Sequence, residues 1–190
     1  FINNIMQQKP EGILISVWGG DLVNFVRQAN NLGFFDQGYE IMFTVGAATE
    51  ALAALGEQMP EGVWLGTRYW YESHDTDANK KFVADYRERY KHAPSYNAEG
   101  AYSAVYALKD AIEKANSAEP GAIAEALSGL TLNTPAGERT FREGDNQALI
   151  GPTWGRAAGI NADGIRSLTE VHNFDGASVS LPLDQTECKR

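Results

Sequence analysis

The sequence predicts an α/β fold in which a largely parallel sheet is flanked by helices. Three times in the first 72 residues an apolar strand runs into a small or aromatic turn and then a helix, in GILISVWGGD, YEIMFTVGAA and GVWLGTRYWYES. Helix-patterned segments with short links separate these runs, an alternation that builds a parallel sheet with right-handed crossovers. Open sheets of this kind hold ligands just beyond the carboxyl ends of their strands. The segments to interrogate are therefore Trp18-Gly19-Gly20-Asp21, Thr44-Val45-Gly46-Ala47 and Arg68-Tyr69-Trp70-Tyr71.

Each element follows from its residues. Phe1, Ile2, Ile5 and Met6 recur at helical spacing and stop at Pro10. Residues 12–18 form a mostly apolar run suited to a buried strand, and the helix after Asp21 carries Leu22, Phe25, Val26 and Ala29 on one face. Gly33 is its natural stop. A second strand is expected at 39–45, with a helix at 47–56 built on Ala48, Leu52 and Leu55. A third strand is expected at 63–70, and a helix opens near Asp75 to Asp77, where acidic side chains suit the positive end of the dipole. Phe82, Val83, Tyr86 and Tyr90 give that helix an expected buried stripe, while Asp85 and Arg89 sit on its wet side.

After Pro94 the pattern changes. A helix over 98–115, with Ala101, Val105, Leu108, Ile112 and Ala115 as its apolar stripe, is followed by a short helix at 120–128 with no strand between them. From Leu130 onward Gly and Pro punctuate strand-like runs, RTFRE, ALIGPTWGRAAGI and SLTEVHNF. Turns are expected at 143–146, 162–164 and 175–176. The tail after Pro182 is polar.

Composition narrows the classes. The chain has 190 residues, 43% hydrophobic and 22% charged, enough to bury a core, and its longest apolar stretches fall far short of the roughly 20 residues that a membrane helix needs. A net charge of −9 with no basic cluster sets nucleic acid aside as a partner. The opening FINNIMQQKP lacks the pattern of a secretory signal, so any export address is expected to lie outside this sequence. The single cysteine, Cys188, is either a free thiol or half of a bridge to a segment not present here.

Taken in order, three segments carry a resemblance: ISVWGGDLVNFVRQANNLGF, DTDANKKFVADYRERYKHAPSYNAEGAYSAVYALKDAIEKANS and TPAGERTFREGDNQA. Together they resemble the carboxyl-terminal half of periplasmic solute-binding proteins of the leucine/isoleucine/valine-binding family. The resemblance implies a periplasmic-binding type I fold, present as one lobe plus helices of the other. It places residues 1–93 in the second, ligand-binding lobe, 94–130 as helices of the first lobe, and 131–190 as a return segment and tail. It further implies a missing amino-terminal half, in the same protein or another chain, and an ABC permease as partner. A periplasmic or lipid-anchored location rests on the resemblance alone, as does amino-acid transport.

The same resemblance ranks the candidate residues. Trp18 and Asp21 fall on a turn from which the second lobe offers side chains to the solute, and Gly19 and Gly20 let backbone approach closely. The plainer alternative is that Trp18 ends a buried strand and Asp21 caps a helix. Thr44, Val45 and Gly46 fall where amino-acid-binding relatives place a carboxylate for the solute ammonium, and this chain has none there. A carboxylic acid, an amide or an aromatic acid therefore competes with an amino acid as the solute. Arg68 and Tyr69 can supply a guanidinium fork and a flat face, or serve as surface charge and packing. Tyr102 is expected near the hinge, touching solute or core.

Catalytic patterns are missing from the sequence. His74, His92 and His172 are far apart and follow no metal-ligand spacing, and no nucleophile elbow, Walker loop or dinucleotide fingerprint occurs. No enzyme activity, metal or cofactor is expected. The expected function is capture of a small organic solute for an ABC importer by closure of two lobes. The rival is a ligand-sensing domain of a regulator or receptor with the same fold.

Overall fold

The computed structural model describes residues 1–188. In chain order its first elements are α1 (Ile2–Gln8), β1 (Gly12–Ile15), α2 (Gly19–Asn31), β2 (Glu40–Phe43), α3 (Thr49–Leu55) and β3 (Trp64–Thr67). There follow α4 (Asp77–Tyr90), α5 (Tyr96–Ala115), α6 (Pro120–Leu127), β4 (Thr131–Thr134), β5 (Gly137–Thr140), β6 (Thr153–Ile160), β7 (Arg166–Asn173) and α7 (Gly176–Val179). No helix among the described residues is long and apolar enough to cross a membrane.

The described chain divides into two compact units, one of residues 1–67 with 153–172, the other of 68–152 with 173–188. The expected divisions at 93 and 130 both fall inside the second unit. Within that unit α4 and α5 both lie against β4.

The first unit is built on a five-stranded sheet of order β1-β2-β3-β6-β7. Strands β1, β2 and β3 run parallel, and β6 returns antiparallel to β3. On one face α2 turns Leu22, Val26 and Ala29 inward, where they are fully buried with Phe34 and Phe43. Phe25 meets Phe34 and Phe43 edge to face, with centroids 5.9 and 6.1 Å apart. Burial of each such large apolar side chain contributes about 1.5–3 kcal/mol. Arg166 ties β7 to the segment after α3, donating to the carbonyls of Met59 at 2.8 Å and Glu57 at 3.0 Å. The other face is barer. Leu14, Met42 and Trp64 are paired in register across β1, β2 and β3, and Leu14 and Met42 are exposed. β1 and β7 are the edge strands of this sheet.

In the second unit the extended structure among the described residues is the β4–β5 hairpin, which packs against α4 and α5, and the bridge of Phe141 with Ala148. Thr76, rather than Asp75 or Asp77, caps α4, its hydroxyl accepting from the Asn79 amide at 3.1 Å. Ser95 caps α5 in the same way.

The stripe expected to bury α5 is largely on its open side. Val105 is 67% exposed and Leu108 is also exposed, whereas Glu99, Ser103, Ala107 and Ala111 are buried. This short-chain face, spaced by four, is the one that packs, as small side chains let α6 and β4 approach α5 closely. Glu99 is satisfied there: Arg139 meets it at 2.9 Å and the Ser103 hydroxyl donates to it at 2.6 Å. On α4, Phe82 and Val83 are buried as expected, but Tyr90 is exposed.

Candidate functional site

The expected strands 12–18, 39–45 and 63–70 each end early, at Ile15, Phe43 and Thr67. The carboxyl ends of β1 and β2 consequently open into turns whose side chains are free of the ladder. Trp18 is not the end of a buried strand. It occupies the N-cap position of α2 in an extended conformation and is 65% exposed. Gly19 follows at φ 56°, a left-handed conformation that a glycine adopts without strain, and this turns the chain into the helix beside the indole. Asp21 is exposed in the first turn and no side chain caps α2, so its leading amides are left without a side-chain acceptor. That positive end of the helix suits an anion.

Ser16 and Thr44 lie beside this turn. The Thr44 hydroxyl donates to that of Ser16 at 3.3 Å, and the Thr44 amide donates to the Ile15 carbonyl at 3.0 Å, so the two hydroxyls are joined across the ends of neighbouring parallel strands. Sequence reasoning passed over Ser16 because it extended β1 to residue 18. Strict alternation from Leu14 would have marked it.

Val45 is half-buried and offers no charge. Gly46 is buried and serves the core: a Cβ there would meet Leu65 at 2.6 Å and Phe43 at 2.7 Å.

The third edge is also different from expectation. Thr67 ends β3, after which Tyr69, Trp70 and Tyr71 are all buried. Tyr69 is 2% exposed and its hydroxyl donates to Asn79 Oδ1 at 2.6 Å. Burial, with the Glu99 charge nearby, pushes its phenol far above the usual range. Tyr69 is thereby a core residue rather than an open face. Arg68 remains exposed, with its guanidinium 4.6 Å from the Tyr96 ring centroid. Tyr102 is partly exposed, packed on Phe82 at 4.8 Å and Tyr106 at 4.7 Å, and its phenol is pushed up to about 12, chiefly by a hydrogen bond with Tyr106.

The structure thus gathers Trp18, Gly19, Gly20, Asp21 and Thr44 with Ser16 at one rim of the first unit. Arg68, Tyr69 and Tyr102 belong to the second unit. No group of three or more His, Cys, Asp or Glu side chains is placed to hold a metal among the described residues.

This fold has counterparts among known proteins. The pattern defining a family described as periplasmic binding protein matches residues 1–156. The chain belongs to that family. Solved structures place its periplasmic-binding type I fold in context. An amino acid ABC transporter substrate-binding protein from Pseudomonas fluorescens Pf-5 superposes with a TM-score of 0.83 at 23% identity, over 100% of this chain and 50% of that one. A leucine binding protein from Thermotoga maritima MSB8 gives 0.74 at 27% identity, over 90% and 47%. A solute binding protein of an ABC transporter from Rhodopseudomonas palustris BisB5, in complex with 3,4-dihydroxy benzoic acid, gives 0.80 at 21% identity, over 92% and 48%. The chain therefore spans about half the length of these periplasmic binding proteins.

Proposed function

We propose that the complete protein is the extracytoplasmic solute-binding component of an ABC importer, closing two lobes on a small organic solute that a membrane permease then receives. The observation that carries this reading is the exposed Trp18 at the N-cap of α2, a helix without a side-chain cap, together with the Ser16–Thr44 hydroxyl pair, at the carboxyl ends of parallel strands. A flat apolar face with a few convergent polar groups is the composition of a small-molecule site. Membership of the periplasmic binding protein family supports it.

The same rim bears on solute class. No carboxylate stands at Val45-Gly46 to receive an ammonium, and burying that charge unpaired costs on the order of several kcal/mol. The α2 amides and two hydroxyls suit a carboxylate, and Trp18 suits a ring or apolar body. We therefore favour an aromatic or other carboxylic acid, or an amide, over an amino acid, for which exposed Asp21 is the remaining counter-charge in this rim. The open face of α5 around Val105 and Leu108 is assigned to contact with the amino-terminal half of the fold, from the same polypeptide or another chain.

A thermal-shift screen of the complete protein tests this, because a ligand that binds only the native state raises the melting temperature. Benzoate-type acids or amides are expected to raise it and leucine to do so less. A rise with leucine and none with the acids overturns the solute class. A flat response to acids, amides and amino acids alike overturns solute binding.

A further inference from the structure

Among the described residues, one buried side-chain polar atom is left without a hydrogen-bond partner: Nε2 of His74. Buried polar groups are almost always satisfied, so an unsatisfied one calls for an explanation. His74 lies in the loop between β3 and α4, and this loop is wound around a single side chain. Asn79 donates from Nδ2 to the carbonyls of Tyr71 and His74, both at 2.8 Å, and its Oδ1 accepts from the Tyr69 hydroxyl. The imidazole lies flat on Tyr69, with centroids 5.7 Å apart and planes inclined by 4°. The stack closes what Asn79 gathers.

The charged groups around this ring come from every element packed on it. Arg139 approaches from β5, already paired with Glu99 of α5. Lys80 and Arg87 come from α4, the first paired with Asp75 of the loop at 2.6 Å and the second 5.2 Å from the Tyr71 ring centroid. Glu72 shares with His74 the wall of a neighbouring cavity of about 470 Å³. A proton on His74 would gain from the Tyr69 π-face, but Asp75 and Glu99 are engaged elsewhere. Burial first, and the Arg139 charge second, hold the imidazole below its ordinary value near 6.5.

We propose that His74 is an acid-sensitive latch: neutral, its ring stacks on Tyr69 and closes the loop of residues 69–79; protonated, it leaves the stack for the adjoining cavity and the loop opens locally. The sign follows from linkage. Above about pH 6.5 neither state carries the proton and the latch is fully closed. Between that value and the lower midpoint of the closed state, the open state takes up a proton that the closed state does not. Opening therefore grows by up to about tenfold per pH unit across that window and levels off below it. The latch is independent of the solute reading and holds for the chain whatever the protein binds.

The test uses the 190-residue chain without solute. In a His92→Gln, His172→Gln variant His74 is the only imidazole, so its NMR titration is assigned directly. Its midpoint is expected below the ordinary histidine value. Hydrogen-exchange protection of the Ser73 and Asn79 amides, corrected for intrinsic rates, is expected to be flat above pH 6.5, then to fall by up to about tenfold per unit, while Ala107 in α5 keeps its protection. His74→Phe retains the stack without the proton and should give a flat profile. A midpoint at or above the ordinary value, a parallel loss at Ala107, or a pH profile that persists in His74→Phe overturns the proposal. If His74→Phe fails to fold, the titration and the contrast between loop and α5 decide it.

Discussion

At the scale of residues, Trp18 and Gly46 differ in exposure, since both lie at strand ends but only the first is solvent-facing. Trp18→Ala removes an exposed ring, so stability should shift by no more than about 0.5 kcal/mol. Solute affinity of the complete protein should fall at least about tenfold, the loss of one aromatic anchor. Calorimetric titration beside a urea melt checks both. Gly46→Ala should behave in the opposite way, because its new methyl group would press into Leu65 and Phe43. Overpacking of this kind costs about 1–3 kcal/mol. A urea midpoint as high as that of the parent chain would show that the strands yield there. Tyr69 belongs with Gly46: its hydroxyl is committed to Asn79, and residue type alone could not reveal that a tyrosine after a strand turns inward.

At the scale of elements, the buried pair of Glu99 on α5 and Arg139 on β5 joins the hairpin to the helices, at 1% and 9% exposure. Breaking one side leaves an unpaired buried charge, so Arg139→Met should cost about 3–5 kcal/mol. Adding Glu99→Gln should recover part of it, a coupling that a double-mutant cycle in urea measures. This pair also marks where the sequence was readable and where it was not. Strands β1 to β3 and helices α1 to α6 were recognisable from period and punctuation, because apolar runs and Gly or Pro stops are local signals. The buried side of α5 was not, because Val105 and Leu108 look like a core stripe whether or not a layer covers them. Which side packs depends on α6, β4 and β5, elements that come later in the chain. The β4–β5 turn at Pro135-Ala136 likewise went unmarked, since the hairpin register is set by tertiary pairing. At the rim, Trp18, Asp21 and Thr44 were legible from the strand-end rule, while Ser16 was hidden by a strand end misplaced by three residues.

At the scale of the whole molecule, the chain spans about half the length of the periplasmic binding proteins it superposes on. Its net charge of −9 keeps copies apart electrostatically, an effect that salt screens. One feature of the first unit opposes this. β1 ends the sheet with the sequence Gly-Ile-Leu-Ile, uninterrupted by a charge or proline, and alternate residues turn their amide and carbonyl groups away from β2. Natural edge strands usually carry some guard against strangers, and here none stands within the strand itself. The practical result for anyone handling this polypeptide is a seam along which one copy can zip onto another. Losses to inclusion bodies should rise with salt and concentration, and a lone lysine in place of Leu14 should return material to the soluble fraction without altering the fold's circular dichroism.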